Sequence, residues 1–263
     1  MTERNRKMNI VVFDTETVGM KTQSLLNIGY KICDVNIQNA TAETLIERNY
    51  LVTDLINNRS FMLNDMFVGA EKYEKMLDML NNGGAIKRNV PQIFSIMAND
   101  LARYKVLFGY AYNCSFDTDK FTKSAIEFGI DNPLENLPVF DIWGYAGEWI
   151  INTPDYIEWA KRNKMFTETE RYIKTSVEAV TAYLENNLDF IEEHTALSDV
   201  QWETKILLEC VKRGADITKA VKRCGFIPSE KEWNKTLVLP NGEEIQVCYK
   251  KMRETENKIV FTA

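Results

Sequence analysis

The stretch over residues 9–17 constrains the fold of this chain most strongly. It reads NIVVFDTET, and its apolar first half is rich in β-branched and aromatic side chains, which predicts a buried strand. Because side chains alternate between faces in an extended backbone, Asp14 and Glu16 project the same way from the carboxyl end of this strand. Two crowded carboxylates repel each other unless a cation lies between them, and oxygen ligands suit magnesium or manganese.

Three further residues carry candidate chemistry. Asp117 follows a long apolar run and falls in the first turn of a predicted helix, while Asp199 lies near the start of a late predicted helix. His194, five residues before Asp199, is the only histidine in the sequence. Taken singly, each has an ordinary explanation: an aspartate complements a helix dipole, and a lone histidine is usually structural or exposed.

Composition limits the class of protein. With 263 residues and 45% hydrophobic content, the chain can form one large domain or a domain with an appendage. Its five cysteines lie far apart with no Cys-x-x-Cys pair, so we expect neither a zinc site nor a disulfide framework. A cytoplasmic setting fits this pattern. We expect no membrane span and no signal peptide, and the asparagine-rich composition fits a bacterial or phage-encoded protein.

The charge distribution bears on possible partners. A net charge of -6 argues against extensive nonspecific binding along duplex DNA. It allows a local nucleic-acid site where metal ions supply the positive charge. Residues 211–263 hold eleven Lys or Arg against seven Asp or Glu, so this basic tail is a candidate surface for a polyanion or a partner, although a solvated surface is the simpler explanation.

Apolar periodicity predicts the order of the elements. Strand-like segments at 24–35 and 45–53 follow the first strand, which predicts three antiparallel strands, and Gly29 indicates a bulge or the close approach of another backbone. The later elements are predicted helices over 73–80 and 91–101, a central strand over 104–113, a helix capped by Ser115 and ending at Gly129, a strand over 137–143, helices over 175–184 and up to Arg213, a hairpin over 237–247 with its turn at Asn241 and Gly242, and an added strand over 258–262. Residues 152–169 receive no assignment.

Three short motifs occur in order along the chain: FDTET at residues 13–17, NCSFD at 113–117 and HTALSD at 194–199. Together they resemble the motifs of the DEDDh, or DnaQ-like, 3′–5′ exonuclease family of the RNase H-like superfamily. The resemblance covers roughly residues 8–213. A sister subfamily carries tyrosine four residues before its last aspartate, and Thr195 at that position favours the histidine version.

The resemblance implies a fold and a domain division. The expected fold is α/β and RNase H-like, with a mixed five-stranded sheet, three antiparallel strands followed by parallel strands, and helices on both faces. Residues 1–214 would form the exonuclease domain, with 54–104 as a helical insertion or elaboration. Residues 215–263 would form a basic C-terminal appendage with a small β-hairpin, since so short a segment buries little on its own.

The resemblance also implies roles for particular residues. The expected catalytic and metal-binding carboxylates are Asp14, Glu16, Asp117 and Asp199, with His194 as general base and Thr15, Thr17 and Asn113 as substrate-binding residues. Four such carboxylates can hold two divalent cations, Mg²⁺ or Mn²⁺, about 3.5–4 Å apart. The implied activity is metal-dependent hydrolysis of single-stranded DNA or RNA from its 3′ end, releasing nucleoside 5′-monophosphates.

Two other functions stay open. One is an exoribonuclease or oligoribonuclease-type RNA trimming activity, because aromatic side chains stack on the bases of DNA and RNA alike. The other is a catalytically silent exonuclease-like module that binds a polymerase, a replication protein or another partner through the basic tail or residues 54–104. The presence of all four carboxylates and the histidine speaks against the silent module.

Overall fold

The strand that carries the acidic pair forms the middle of the main sheet. The computed structural model describes residues 7–19, 24–65, 68–229, 234–238 and 244–248, and in it this strand is β1 (Lys7–Val18). Its apolar residues from Ile10 to Phe13 are completely buried. Because both of its faces are covered, β1 carries Asp14 and Glu16 into a part of the fold that has protein on both sides.

The main sheet has six strands within the described residues. They are β1, β2 (Ser24–Asn36), β3 (Thr41–Val52), β4 (Ile86–Arg88), β5 (Phe108–Ala111) and β6 (Val139–Asp141), in the order β4-β3-β2-β1-β5-β6. The first three are antiparallel, β5 is parallel to β1, and β6 is parallel to β5. The predicted order of antiparallel and then parallel strands is confirmed. There is one strand more than predicted, because β4 adds to the edge of the sheet parallel to β3.

Helices account for most of the remaining chain. They are α1 (Thr53–Ile56), α2 (Arg59–Asn64), α3 (Gly69–Asn81), α4 (Val90–Arg103), α5 (Ser115–Phe128), α6 (Ile142–Ala146) with a following π-helical turn (Gly147–Ile151), α7 (Pro154–Arg162), α8 (Val177–Leu184) and α9 (Ala196–Lys212). The predicted end of α5 at Gly129 is confirmed, since this residue adopts the left-handed conformation with φ +63°. The predicted Ser115 cap is wrong: Cys114 precedes the helix, and its side chain makes no capping hydrogen bond.

The segment 54–104 builds a second hydrophobic core beside the end of β1. Val18, at the end of β1, packs with apolar residues from α2 and α3, among them Met62, Tyr73 and Met76. Asp65 adds a polar contact, because its carboxylate accepts a hydrogen bond of 2.8 Å from the Gly19 N–H. This segment is therefore anchored to the chain just beyond the acidic pair.

Strand β2 fixes the start of α9. A β-carbon at Gly29 would lie 2.4 Å from backbone atoms of both Ala196 and Leu197, so the predicted close backbone approach at Gly29 is confirmed. Nearby, the completely buried Asn27 accepts a hydrogen bond of 2.9 Å from the Ala196 N–H. The Asn27 amide group donates in turn to Asn49 Oδ1. These contacts set the position at which the third motif enters its helix.

The chain forms two compact units, residues 1–153 with 175–224 and residues 154–174 with 225–263. In the second unit, Tyr172 packs its ring against Phe226, and β7 (Asn234–Val238) pairs antiparallel with β8 (Glu244–Cys248). The predicted hairpin strands are thus confirmed. The predicted turn at Asn241 and Gly242 and the predicted strand over 258–262 lie outside the described residues. The division into 1–214 and 215–263 stays a prediction.

The expectation of a cytoplasmic location concerns the cysteines and the apolar character of the helices. Four cysteines, Cys33, Cys114, Cys210 and Cys224, are free thiols. Among the described residues, no helix combines the length and the apolar character that a bilayer crossing requires. The cytoplasmic location and the bacterial or phage origin stay predictions.

Replacing Gly29 by alanine should destabilise the protein. The new methyl group would meet the backbone of α9, which cannot move without shifting the helix. We expect the free energy of unfolding to fall by about 1–3 kcal/mol, the usual cost of overpacking, in urea denaturation. The matched control is Gly225→Ala, where a β-carbon meets nothing within 4 Å and the change should stay within about 0.5 kcal/mol. Equal losses in the two variants would contradict the close approach.

Candidate active site

The first and second motifs are joined by hydrogen bonds to one carboxylate. Asp117 Oδ1 accepts a hydrogen bond of 3.0 Å from the Thr15 N–H and another of 2.6 Å from the Thr15 hydroxyl. Both residues are buried, with 4% of Thr15 and 2% of Asp117 exposed. Since Thr15 lies between Asp14 and Glu16 on β1, these bonds place Asp117 beside the acidic pair.

The turn between β5 and α5 positions Asp117. Asn113 adopts a left-handed conformation with φ +59°, which asparagine tolerates better than most residues. Its N–H donates to Asp141 Oδ1 at 2.9 Å, and the same oxygen accepts a hydrogen bond from the Trp143 N–H. Asp141 at the end of β6 therefore stabilises the turn, and Asp117 follows in the first turn of α5.

The start of α9 brings the third motif to the acidic pair. Asp199 lies in the first turn of α9 and is 5% exposed, whereas the His194 side chain, just before the helix, is 62% exposed. Glu16, His194 and Asp199 each offer a ligand atom, and these atoms all lie within 4.8 Å of one another. His194 Nδ1 is 4.0 Å from Glu192 Oε2.

Burial and mutual repulsion perturb the carboxylates of this cluster. Burial, followed by repulsion from Asp117 and from Glu203, Glu16 and Asp199, raises the pKa of Asp14 well above its ordinary value. Burial also raises the pKa of Asp117 to about 7, although the hydrogen bonds from Thr15 oppose the shift. Burial, with repulsion from Glu192 and Glu16, raises the pKa of Asp199 to about 8. The structure therefore brings the four predicted carboxylates together in one cluster.

Glu203 is a fifth carboxylate of this cluster that the sequence reasoning did not assign. It lies one turn after Asp199 on α9, is 2% exposed, and has a pKa raised well above its ordinary value by burial and then by Asp117. The spacing of four residues on one helix face was the available signal. Nothing in the sequence, however, showed that this face is buried against the other motifs.

Lys72 is a second residue that the sequence reasoning did not assign to the site. It comes from α3, and its Nζ lies 2.8 Å from Glu16 Oε2. Both side chains are largely shielded from solvent. The segment 54–104 therefore supplies an ammonium group to a carboxylate of the first motif.

The cluster fits hard divalent cations. Asp199 Oδ1 and Glu203 Oε2 are buried without a hydrogen-bond partner in the described part of the chain. Unpartnered buried carboxylate oxygens are costly, and an oxygen-rich donor set of this kind suits Mg²⁺ or Mn²⁺. The residues present are thus compatible with the metal ions expected from the sequence.

The three expected substrate-binding residues have different surroundings. The Thr15 hydroxyl is engaged with Asp117, Thr17 is half-buried next to a register shift of β1, and Asn113 Oδ1 accepts a hydrogen bond from Arg223. Thr15 therefore positions a carboxylate of the site. The substrate contacts of all three residues stay predictions.

Comparisons with known proteins support the fold. No protein-family profile matches the sequence. No curated protein matches it. Among solved structures, the chain is similar to one described as "3'-end specific recognition of histone mRNA stem-loop by 3'-exonuclease", with 10% sequence identity and a TM-score of 0.50 over 94% of this chain and 93% of that chain. This likeness confirms the RNase H-like fold, while membership of the DEDDh family stays a prediction from the motifs.

The raised pKa values predict a pH-dependent stability of the metal-free protein. Asp117 and Asp199 bind protons more tightly when folded than when unfolded, so their stabilising contribution is complete in acid and is lost as pH rises through about 7 and 8. With chelator present, we expect the free energy of unfolding to fall by ~2 kcal/mol or more between pH 6 and pH 9. Denaturant titrations at a series of pH values measure this change.

Added cation and a variant provide the controls for this titration. Mg²⁺ or Mn²⁺ should flatten the decline, because a bound cation neutralises the carboxylates at high pH. Asp199→Asn should also reduce the decline, since the variant lacks one of the raised pKa values. A metal-free stability that stayed level or rose over this range would contradict the crowding of the carboxylates.

Proposed function

We propose that this protein is a metal-dependent 3′–5′ exonuclease that hydrolyses phosphodiester bonds of single-stranded DNA or RNA. One observation carries the proposal: buried and half-buried carboxylates from three motifs far apart in sequence meet beside the only histidine of the chain. The fold shared with a 3′-exonuclease and the resemblance of the motifs to the DEDDh family support the direction of attack. The products would be nucleoside 5′-monophosphates.

The carboxylates would hold the metal ions of the reaction. Asp14, Glu16, Asp117 and Asp199 are the proposed ligands, with the Thr15 hydrogen bonds fixing the orientation of Asp117. Two divalent cations bound there would stabilise the attacking and leaving oxygens of phosphodiester hydrolysis. Glu203 adds negative charge from the buried side of the cluster.

His194 is the proposed general base. Its imidazole is exposed to solvent and lies within reach of Glu16 and Asp199, so it can take a proton from a water molecule that enters the cluster. Glu192 Oε2 lies 4.0 Å from Nδ1, so a carboxylate is close to the ring on that side. The proton then passes to solvent, since the ring is open to water.

An RNA substrate is the second candidate. The structure whose fold is shared shows a 3′-exonuclease recognising a histone mRNA stem-loop, so the same architecture serves RNA ends in that protein. The metal cluster described above would cleave either backbone, because the phosphodiester group is common to both. Digestion of labelled DNA and RNA strands of identical sequence, in parallel, distinguishes the two substrates.

The proposal includes an exonuclease domain at 1–214 and a basic appendage at 215–263. It also includes a polymerase or replication protein as a partner. The alternative is a catalytically silent module. A silent module would bind nucleic acid or a partner without releasing mononucleotides. A digestion assay with Mn²⁺, with chelator as its control, separates the silent module from the enzyme.

Asp14→Ala should abolish exonuclease activity. Asp14 is repelled by Glu16, Asp117 and Asp199, so it lies among the other proposed ligands, and its loss would remove one carboxylate that would hold the cations. We expect no mononucleotide release from a 3′-labelled single strand with Mn²⁺, and a folded protein by circular dichroism. The matched control is Asp131→Ala, an exposed aspartate after α5, which should keep wild-type activity. Full metal-dependent activity in the Asp14 variant would refute the assignment of the site.

His194→Ala should slow hydrolysis by roughly 10²–10⁴-fold, the usual contribution of general acid–base catalysis. Metal binding by the carboxylates should persist, since the imidazole is replaced without any change to the acidic residues. Single-turnover rates on a 3′-labelled oligonucleotide, together with Mn²⁺ affinity by calorimetry, measure both effects. An unchanged rate would remove His194 from the mechanism.

A further inference from the structure

The segment 215–224 is held against the sheet by two buried tyrosines. The Tyr110 hydroxyl, from β5, donates to the Ile217 carbonyl oxygen at 2.6 Å. The Tyr145 hydroxyl, from α6, donates to the carbonyl oxygen of Lys219 at 2.6 Å and is 3.2 Å from that of Ile217. Both tyrosines are completely buried, so these bonds fix the path of the chain after α9.

Two glycines allow the end of this segment to approach α6 closely. A β-carbon at Gly144 would lie 2.8 Å from a methyl carbon of Val221, and one at Gly147 would lie 2.7 Å from the β-carbon of Cys224. Cys224 is itself buried. Residues on either side of Arg223 are therefore packed against α6 and the turn that follows it, which gives Arg223 a defined position.

Arg223 contacts the turn that precedes the second motif. One terminal guanidinium nitrogen donates to Asn113 Oδ1 at 2.5 Å, and the guanidinium carbon lies 4.7 Å from the centre of the Trp143 ring. Trp143 is in turn stacked on Tyr112, with 6.4 Å between ring centres and an angle of 26° between their planes. An aromatic pair and one side-chain oxygen thus hold the guanidinium in a single orientation.

The position of Arg223 is close to the acidic cluster. The Asn113 carbonyl accepts a hydrogen bond of 2.9 Å from the Phe116 N–H, and Asp117 is the next residue along α5. Arg223 is exposed to solvent; burial raises the pKa of the Asp141 carboxyl, and the charge of Arg223 acts to lower it. Within the described ranges, however, no carboxylate lies within 4.0 Å of Arg223. A positioned, exposed guanidinium that is not held in a close ion pair is well suited to bind an anion.

We propose that Arg223 binds a backbone phosphate of the nucleic-acid strand, other than the one being cleaved, and so holds the strand against the turn at Asn113. This inference rests on the proposed nuclease function and adds a substrate-binding residue from outside the three motifs. A guanidinium presents several N–H donors in a planar fork that matches phosphate oxygens. Stacking on Trp143 orients the fork, and the Asn113 contact uses one of its donors.

The test compares two substrates that differ in the presence of a second phosphate. One is a single-stranded 20-nucleotide oligomer, and the other is the p-nitrophenyl ester of thymidine 5′-monophosphate, which has only the scissile phosphate. In the full-length protein with Mn²⁺, Arg223→Gln should raise KM for the oligomer by about 10-fold, the scale of a lost charge-assisted contact. The value of kcat for the oligomer and both constants for the ester should stay within about 2-fold of wild type.

Two more measurements distinguish phosphate binding from a structural role. The dependence of log kcat/KM on log salt for the oligomer should become shallower by about one in Arg223→Gln, because one phosphate contact is lost. Arg223→Lys should restore part of the affinity, since it keeps the charge. The control Lys222→Gln, which removes the neighbouring exposed cation, should change KM by less than about 2-fold.

The outcomes separate this inference from the proposed function. Equal losses on both substrates, or no loss on the oligomer, would overturn phosphate binding by Arg223 while the nuclease assignment stands. A wild-type protein that cleaves neither substrate would refute the proposed function. In that case, the dissociation constant for a fluorescent oligomer, measured in Ca²⁺, tests the phosphate contact of Arg223. A constant about 10-fold larger in Arg223→Gln supports the contact, and equal constants overturn it.

Discussion

The burial of carboxylates that also repel one another is the constraint on which this structure depends. Asp14, Asp117, Asp199 and Glu203 all have raised pKa values because they share a buried cluster. Such a cluster forms only where other contacts hold its elements together. The Thr15 hydrogen bonds to Asp117 and the packing of α9 on β2 provide those contacts. The fold therefore holds together a charged cluster that bound cations would stabilise further.

Two segments outside the three motifs each place a cationic side chain in this region. The segment 54–104 places Lys72 on Glu16, and residues 215–224 place Arg223 beside Asn113. Lys72 partly neutralises the acidic pair from within the protein, whereas Arg223 is open to solvent. Strand β1 and helices α5 and α9 thus provide the carboxylates, and the segments 54–104 and 215–224 modify the charge that surrounds them.

Sequence patterns predicted the parts of the site that depend on local geometry. The alternation of a strand predicted the shared face of Asp14 and Glu16, and the position of Gly29 predicted a close backbone approach, which the structure confirms. Glu203 and Lys72 were not assigned, because each lies on a helix where a charged residue is normally solvated. Their contacts arise only from tertiary packing, which brings α9 and α3 to the end of β1.

Local sequence patterns do not determine the structure where the same residues are compatible with several conformations. Ser115 is a residue type that commonly caps helices, but α5 begins at Ser115 itself, with Cys114 before it and Asn113 in a left-handed conformation. The short strand β4 has three exposed residues and no alternating apolar pattern, so only its pairing with β3 identifies it. The start of α5 depends on the backbone conformation at Asn113, and β4 depends on its pairing with a strand distant in sequence.

The most direct test of the central claim is a crystal structure of the protein grown with Mn²⁺ and measured at a wavelength where manganese scatters anomalously. The account predicts anomalous peaks among the carboxylates of Asp14, Glu16, Asp117 and Asp199, with the Lys72 ammonium displaced from its position 2.8 Å from Glu16. Carboxylates that bind no Mn²⁺ at millimolar concentration, with Lys72 still on Glu16, would contradict it.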